Sequence, residues 1–415
     1  MGATLCCTPL QPTMITENEI IRFFMVGTGA AGKTTVIRQL KCLCKERPKD
    51  YKAYDCEWNP IAPDDIFSKE EINGFRRIIQ NNILTAVYNL IQQSKEWNEE
   101  YNVKSSVENV IKLIETIESE GRSVFDANIP PSIATDLIKI LKDPAINETF
   151  QRHNEMIGKW RIEDGTLHFL TEAQITRIFN DNIQLNTTDV VHSRYPTTDI
   201  QDFRFSIKDK RIQIHDMGGQ RTELMKLPRF INRWVVSDRE SYQNFVLFVT
   251  SMAEFNSPDE DSKDHTAMER SMRILELILN MDPVQSCGVL IFLNKLDRFS
   301  EIVTLLQSNP EGRKEILKYL GDELREGKLP FKLKAYYVPA HKTKLHNGKC
   351  SVDALQSAVA NKYKKVIKPK RRGEGAKGVY IRYTQAVDPK IMADIFDFIQ
   401  NEIINHFIEN AGYIP

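Results

Sequence analysis

The sequence predicts an α/β protein with a mainly parallel sheet, interrupted by an inserted all-α helical domain. Three observations carry this. A glycine-rich loop, VGTGAAGKTT from Val26 to Thr35, follows the apolar run Ile20–Val26. Further short apolar runs, Arg211–Asp216, Gly288–Leu293 and Val379–Tyr383, each end in a polar motif, and strand carboxyl ends are where open α/β sheets bind ligands. From Ser68 to about Thr188 the pattern changes to three- and four-residue helical steps with no strand alternation.

Composition narrows the class. The 415 residues give two to three domains' worth of core. Net charge is zero, with 41% hydrophobic and 27% charged residues. That describes a soluble globular chain with no bulk attraction to nucleic acid. No apolar run reaches bilayer-spanning length. The first residues lack the basic start and apolar core of a signal peptide. The seven cysteines form no paired CxxC pattern and read as free thiols in a reducing compartment. Removal of Met1 exposes Gly2, but Cys6 stands where the myristoylation pattern wants Ser or Thr. Acylation at Gly2, Cys6 or Cys7 and an unmodified N-terminus both stay open. A single acyl chain binds membrane only marginally.

The first element is a strand feeding Gly27-x4-Gly32-Lys33-Thr34, a P-loop. Its backbone N–H groups point inward at phosphates, and glycine permits that approach. Lys33 reaches the outer phosphates, and the Thr34 hydroxyl can ligate Mg²⁺. Thr35–Leu43 reads as a helix whose N-terminus adds a favourable dipole. Pro48–Phe67 reads as a linker. Ser68-Lys69-Glu70-Glu71 forms a capping box opening a helix of about thirty residues. Further helices are expected over Val107–Glu118, Pro131–Leu141, Asn147–Gly158 and Thr171–Asn180, and Asp181–Thr188 as a second linker.

Beyond the insertion, strand Arg211–Asp216 leads into Met217-Gly218-Gly219-Gln220. A DxxG alone arises by chance about once in a chain of this length, so its weight comes from context. Strand Gly288–Leu293 ends in Asn294-Lys295-Leu296-Asp297. That carboxylate can accept hydrogen bonds from the N1–H and exocyclic amine of guanine, which adenine cannot supply. Strand Val379–Tyr383 precedes Thr384-Gln385-Ala386-Val387. A helix is expected near Ser351–Val366 and another over about Pro389–Glu409, with Ile391, Ile395, Phe398, Ile399 and Phe407 toward its apolar face.

GTGAAGKTT, SRYPTTD, DMGGQR, FLNKLD and TQAVD occur together and in order. In this the chain resembles the α subunits of heterotrimeric G proteins. The match is strongest over Ile21–Gln39, Asp189–Gln220, Asn244–Phe299 and Val379–Gly412. The resemblance implies a Ras-like P-loop GTPase domain split by a helical domain. The expected division is a flexible stretch 1–18, the first GTPase part 19–62, the helical domain 63–188 and the second GTPase part 189–415.

The resemblance also implies roles. Nucleotide contacts fall to Gly27, Thr28, Gly29, Ala30, Ala31, Gly32, Lys33, Thr34 and Thr35. They extend to Asp164, Val191, Arg194, Thr197, Asp216, Gly219, Asn294, Lys295, Asp297, Thr384, Gln385 and Ala386. Thr34 and Thr197 would be the protein ligands of Mg²⁺, with Asp216 reaching the ion through water. Gln220 and Arg194 are the catalytic candidates, Gln220 orienting the attacking water and Arg194 acting as an intramolecular arginine finger. The expected activity is slow GTP hydrolysis to GDP. The expected partners are a G protein-coupled receptor at the C-terminal helix, and effectors and RGS-type regulators at the switch segments. The expected location is the cytoplasmic face of the plasma membrane, as a peripheral protein. No nucleic-acid motif is present.

Four departures from the family stand out. Ala30-Ala31 replace a Glu-Ser pair, and loss of that glutamate is expected to free Arg194 in the GDP state and to speed release. Only 26 residues precede Gly27, and Pro228 is expected to break the switch helix. Both alter surfaces used for the βγ dimer, whose binding therefore stays open. Ala411 replaces the cysteine that one class of the family presents to a toxin. Extra material lies between Glu301 and Lys349, with Gly321–Asn347 lacking clear periodicity, and eight Lys or Arg follow from Lys362 to Lys377. The basic run reads either as a solvated loop or as a contact for anionic lipid or an acidic partner. The rival to a hydrolysing switch is a fast-exchanging GTP-binding scaffold that acts without βγ.

Overall fold

The computed structural model describes residues 20–121, 123–124, 127–156, 158–194, 201–208, 210–217, 228–229, 231, 242–259, 264–325, 350–367 and 379–404. The chain opens with β1 (Ile20–Val26), α1 (Lys33–Glu46), β2 (Tyr51–Tyr54) and β3 (Pro60–Ile61). Helices α2 (Lys69–Glu96), α3 (Lys104–Ser119), α4 (Ile133–Lys142), α5 (Pro144–Gln151), α6 (Asp164–Leu167), α7 (Glu172–Ile178) and α8 (Thr187–His192) follow, with no strand among the described residues between them. Then come β4 (Gln201–Ile207), β5 (Lys210–Asp216), β6 (Tyr242–Ser251), α9 (Ala267–Leu279), α10 (Asp282–Gln285) and β7 (Gly288–Asn294). The chain continues with α11 (Leu296–Gln307), α12 (Pro310–Arg325), α13 (Val352–Ile367), β8 (Val379–Tyr383) and α14 (Pro389–Phe398), extended by a π-helical turn Ile399–Ile404.

The strands form one eight-stranded sheet in the order β3-β2-β4-β5-β1-β6-β7-β8. Pairing from β5 through β1, β6 and β7 to β8 is parallel. The β3, β2 and β4 edge is antiparallel. This is the Ras-like α/β fold with a helical insertion. Strand alternation sends successive residues to opposite faces. Phe23 and Met25 join the core under α1 and α14, whereas Phe24 and Val26 join the core under α9, α11, α12 and α13. Every residue of β7 is buried, as expected of a strand covered on both faces. The insertion has its own core, built from Ile79 to Phe179 around Val87, Val110, Leu137 and Ile175. Val190 and Val191 of α8 instead pack into the core beneath α1.

The expected capping box is present. Ser68 Oγ accepts from the Glu71 N–H at 3.1 Å, and a Glu71 carboxylate oxygen accepts from the Ser68 N–H at 2.9 Å. Several boundaries differ from expectation. Pro48–Phe67 is not a plain linker, because it holds β2 and β3. In β2 only Tyr51 and Ala53 are buried, a pattern too short to read without β4 beside it. The helix expected over Asn147–Gly158 begins earlier, where Pro144 sits at N1 and Asp143 caps, and ends at Gln151. α8 begins inside the expected linker Asp181–Thr188. Gly321–Arg325 belongs to α12 rather than to an aperiodic stretch. Pro228 and Arg229 are themselves helical, and the residues just before them lie outside the described set. Gly2, Cys6, Cys7, residues 326–349, 368–378 and 405–415 also lie outside it. Among the described residues no helix is long and apolar enough to cross a membrane.

Phe396 is fully buried where α14 meets the sheet, edge-on to Phe205 at 6.1 Å and to Phe292 at 6.3 Å. Phe396→Ala is expected to cost about 3–5 kcal/mol of stability, measured by urea denaturation.

Candidate functional site

Parallel register brings the strand ends to one edge. Met25 pairs with Asp216, Val26 with Phe248, Ser251 with Asn294, and Leu293 with Tyr383. The loop between β1 and α1 therefore lies beside the ends of β5, β6 and β7. Gly27 takes φ 153°, and a Cβ there would stand 1.9 Å from the Val249 carbonyl oxygen, so no other residue fits. Gly32, at φ 96°, begins α1 without any side-chain cap. The first helical N–H groups thus face the cleft as an anion site.

Lys33 is buried, and its ammonium donates to the carbonyls of Gly27 at 3.0 Å and Thr28 at 2.9 Å. Burial lowers its pKa to about 8, with Arg194 adding to the effect and Asp216 opposing it. Arg38, one turn along α1 from Thr34, is lowered to about 10, first by burial and then by Arg194. It donates to the Ser193 carbonyl.

Thr34 donates its hydroxyl to Asp216 Oδ2 at 2.9 Å. Asp216 is fully buried, and its Oδ1 has no hydrogen-bond partner. Burial raises this carboxyl to about 6, against the pull of Lys33 and Thr34. A carboxylate oxygen left open beside a hydroxyl suits a hydrated cation. Among the described residues no group of three or more His, Cys, Asp or Glu could hold a metal. Mg²⁺ does not need one, since phosphates and water usually supply most of its ligands. These residues fit the ion.

Asn294 is a strut. Its amide donates to the Ala31 carbonyl at 2.8 Å, and its oxygen accepts from Thr384 Oγ1 and the Ala386 N–H, both at 3.0 Å. It ties the phosphate loop to the segment after β8. Lys295, in a left-handed conformation at φ 61°, turns the chain into α11.

The cleft encloses about 1080 Å³ including its open mouth. Gly29, Ala30, Gly32, Lys33, Thr34, Thr35, Asp164, Val191, Arg194, Asn294, Lys295, Asp297 and Ala386 line it. Gly27, Thr28, Ala31, Asp216, Thr384 and Gln385 do not line it. Of these, all but Gln385 are buried. Thr197, Gly219 and Gln220 lie outside the described residues.

The helical insertion closes one side. Asp164 at the start of α6 accepts from Lys295 Nζ at 2.6 Å and from Arg298 Nε at 3.0 Å. Burial alone would raise the Asp164 carboxyl, but those two cations hold it well below the usual carboxylate range. Arg298 also donates to Asn154 at 2.6 Å. Although Ala30 supplies no carboxylate, Arg194 faces one from the insertion, its Nε pairing with Glu163 at 3.1 Å. Glu163, Arg38 and Arg298 line the cleft but were not picked out from the sequence. Arg38 carried a signal, being four residues from Thr34 on the same helix face. Glu163 and Arg298 carried none, since their partners lie 31 and 134 positions away in the chain.

A phosphate loop at the strand-end edge of such a sheet, facing an Asn-Lys-x-Asp element, defines a P-loop nucleotide-binding protein. The family model "G-protein alpha subunit" matches residues 10–403, and the chain belongs to that family of guanine nucleotide-binding signalling proteins. It is 21% identical to guanine nucleotide-binding protein subunit alpha-15 of Mus musculus over 403 residues, 96% of this chain and 90% of the relative. It is 23% identical to guanine nucleotide-binding protein alpha-17 subunit of Caenorhabditis elegans over 289 residues, 68% of this chain and 70% of the relative.

Asn294→Ala removes three buried hydrogen bonds and leaves the Ala31 carbonyl without this donor. It is expected to lower stability by about 1–3 kcal/mol. Guanine nucleotide affinity should fall with it. Denaturation and nucleotide titration check the two effects.

Proposed function

We propose that this chain is a switch that binds GTP with Mg²⁺, hydrolyses it slowly to GDP, and passes a signal from a membrane receptor to effectors. One observation carries the reading. Lys33 and Thr34 of the phosphate loop, Arg194 and Asn294, Lys295 and Asp297 line one cleft, and the buried Asp216 carboxylate backs it by accepting from Thr34.

Lys33 exchanges its two loop carbonyls for β- and γ-phosphate oxygens. The α1 N-terminus and loop amides hold the remaining phosphate charge. Thr34 and Thr197 would hold Mg²⁺, with Asp216 acting through water, and the ion would supply charge neutralisation at the phosphates. Asp297 accepts the guanine N1–H and amino group, which adenine lacks. Gln220 orients water, and Arg194 offsets charge developing toward the leaving group. Water is a weak nucleophile, so turnover is slow, as a timer requires. Loss of the γ-phosphate releases Thr197 and Gly219, and their segments relax. The receptor docks at the C-terminal helix, while effectors and RGS-type regulators read the switch segments. Acylation at Gly2, Cys6 or Cys7 would hold the protein at the cytoplasmic face of the plasma membrane. The clasp of Asp164 by Lys295 and Arg298 favours slow release over the fast-exchanging scaffold.

Gln220→Leu is expected to keep GTP affinity and to slow phosphate release about a hundredfold or more, the scale of lost positioning. A variant that turns over at the wild-type rate would refute the assignment. Asp297→Asn is expected to shift preference from guanine to xanthine nucleotides, read by competition binding. Unchanged GTP affinity in that variant would count against Asp297 as the base reader.

A further inference from the structure

Arg194 is held entirely from the insertion side among its described contacts. Asn82, buried on α2, clamps the Arg194 backbone twice. Its amide donates to the Arg194 carbonyl at 3.0 Å, and its oxygen accepts from the Arg194 N–H at 3.0 Å. Only one amide orientation satisfies both bonds. Glu163, just before α6, takes the guanidinium Nε at 3.1 Å. Partial desolvation in the cleft wall would raise the Glu163 carboxyl, but Arg194 and Lys295 hold it below its ordinary value. Arg194 itself follows α8, whose Val190 and Val191 belong to the core of the sheet. The two contacts therefore bridge the insertion and the sheet.

We propose that Asn82 and Glu163 are positioning residues for Arg194. Asn82 fixes the arginine's backbone, and Glu163 holds its guanidinium between turnovers and latches the insertion over the cleft. The proposal rests on the reading of Arg194 as the group that acts on the γ-phosphate. The ion pair is built to exchange. Its side chains are 33% and 47% exposed, so it is weak by the standard of ion pairs. A γ-phosphate offers more charge and a bidentate acceptor, and it draws the guanidinium off the carboxylate. With GDP bound, the carboxylate regains the arginine and the insertion stays shut. Asn82 keeps its grip in both states, so the guanidinium swings about a fixed backbone.

The test uses purified full-length protein, with fluorescent GDP release and single-turnover phosphate release as readouts. Glu163→Gln is expected to speed GDP release about two- to fivefold, the range of a part-exposed ion pair. In an Arg194→Gln background the same change is expected to do nothing, because the partner is gone. Equal acceleration in both backgrounds would mean that Glu163 acts without Arg194 and would overturn the proposal. So would no acceleration in the wild-type background. Asn82→Ala is expected to slow single-turnover hydrolysis about tenfold or more at saturating GTP, with GTP affinity retained. It is expected to add no further loss to Arg194→Gln, and an equal loss in both backgrounds would remove Asn82 from the device. Should Asn82→Ala fail to fold, the Glu163 cycle decides alone. Arg194→Gln hydrolysing at the wild-type rate would sink the arginine-finger reading, while the Glu163 cycle would still report on the latch through GDP release.

Discussion

Parallel pairing in register is what the rest of the molecule depends on. β5, β1, β6, β7 and β8 run the same way, so the chain leaves each of them at the same edge. Asp216, Gly27, Asn294 and Thr384 are far apart in sequence, even Asn294 and Thr384 lying 90 positions from each other, yet they become neighbours by that geometry alone. Gly27 shows how tight the constraint is, since its backbone lies against the Val249 carbonyl with no room for a side chain. Asn294 then converts adjacency into rigidity, with three hydrogen bonds across two loops. A site fixed by buried strands is held more exactingly than one carried on mobile loops.

Electrostatics follow from that placement. Lys33 and Arg38 are both disfavoured as cations by burial, and Arg194 adds to each effect. Asp216 is disfavoured as an anion by the same burial. Such a cluster is expensive unless charge is shared, because desolvation is recovered only through close partners. The lysine shares with loop carbonyls and the carboxylate with Thr34. A bound polyanion would serve the cations better than those neutral groups do, which is the physical basis for reading the cleft as a phosphate site.

Much of this was legible in the sequence, for a specific reason. The phosphate loop, Asp216, Asn294-Lys295-x-Asp297 and Thr384 are contiguous strings whose chemistry is tied to a strand end. The long α2 helix announced itself through its Ser68 cap and apolar steps. What escaped was non-local. β2 has four residues and β3 two, and both become strands only through pairing with neighbours. Asp164 was reached only by resemblance, and Glu163 beside it not at all, because an exposed glutamate before a four-residue helix carries no signal of its own. Its meaning lies in Arg194, which it meets only after the insertion folds back on the sheet.

Glu163 also changes how the loss of acid at Ala30 is understood. Read along the chain, Ala30 removes a carboxylate from the phosphate loop and leaves an arginine without a partner. Read in space, Arg194 has a carboxylate partner on the insertion, Glu163. A partner on the phosphate loop would tie Arg194 to the domain that already holds it through α8. A partner on the insertion ties the arginine to a separate hydrophobic core. Opening the insertion then breaks the Arg194–Glu163 pair and the Asp164 clasp together, since Glu163 and Asp164 are adjacent residues. Release of the arginine and exposure of the nucleotide become one motion.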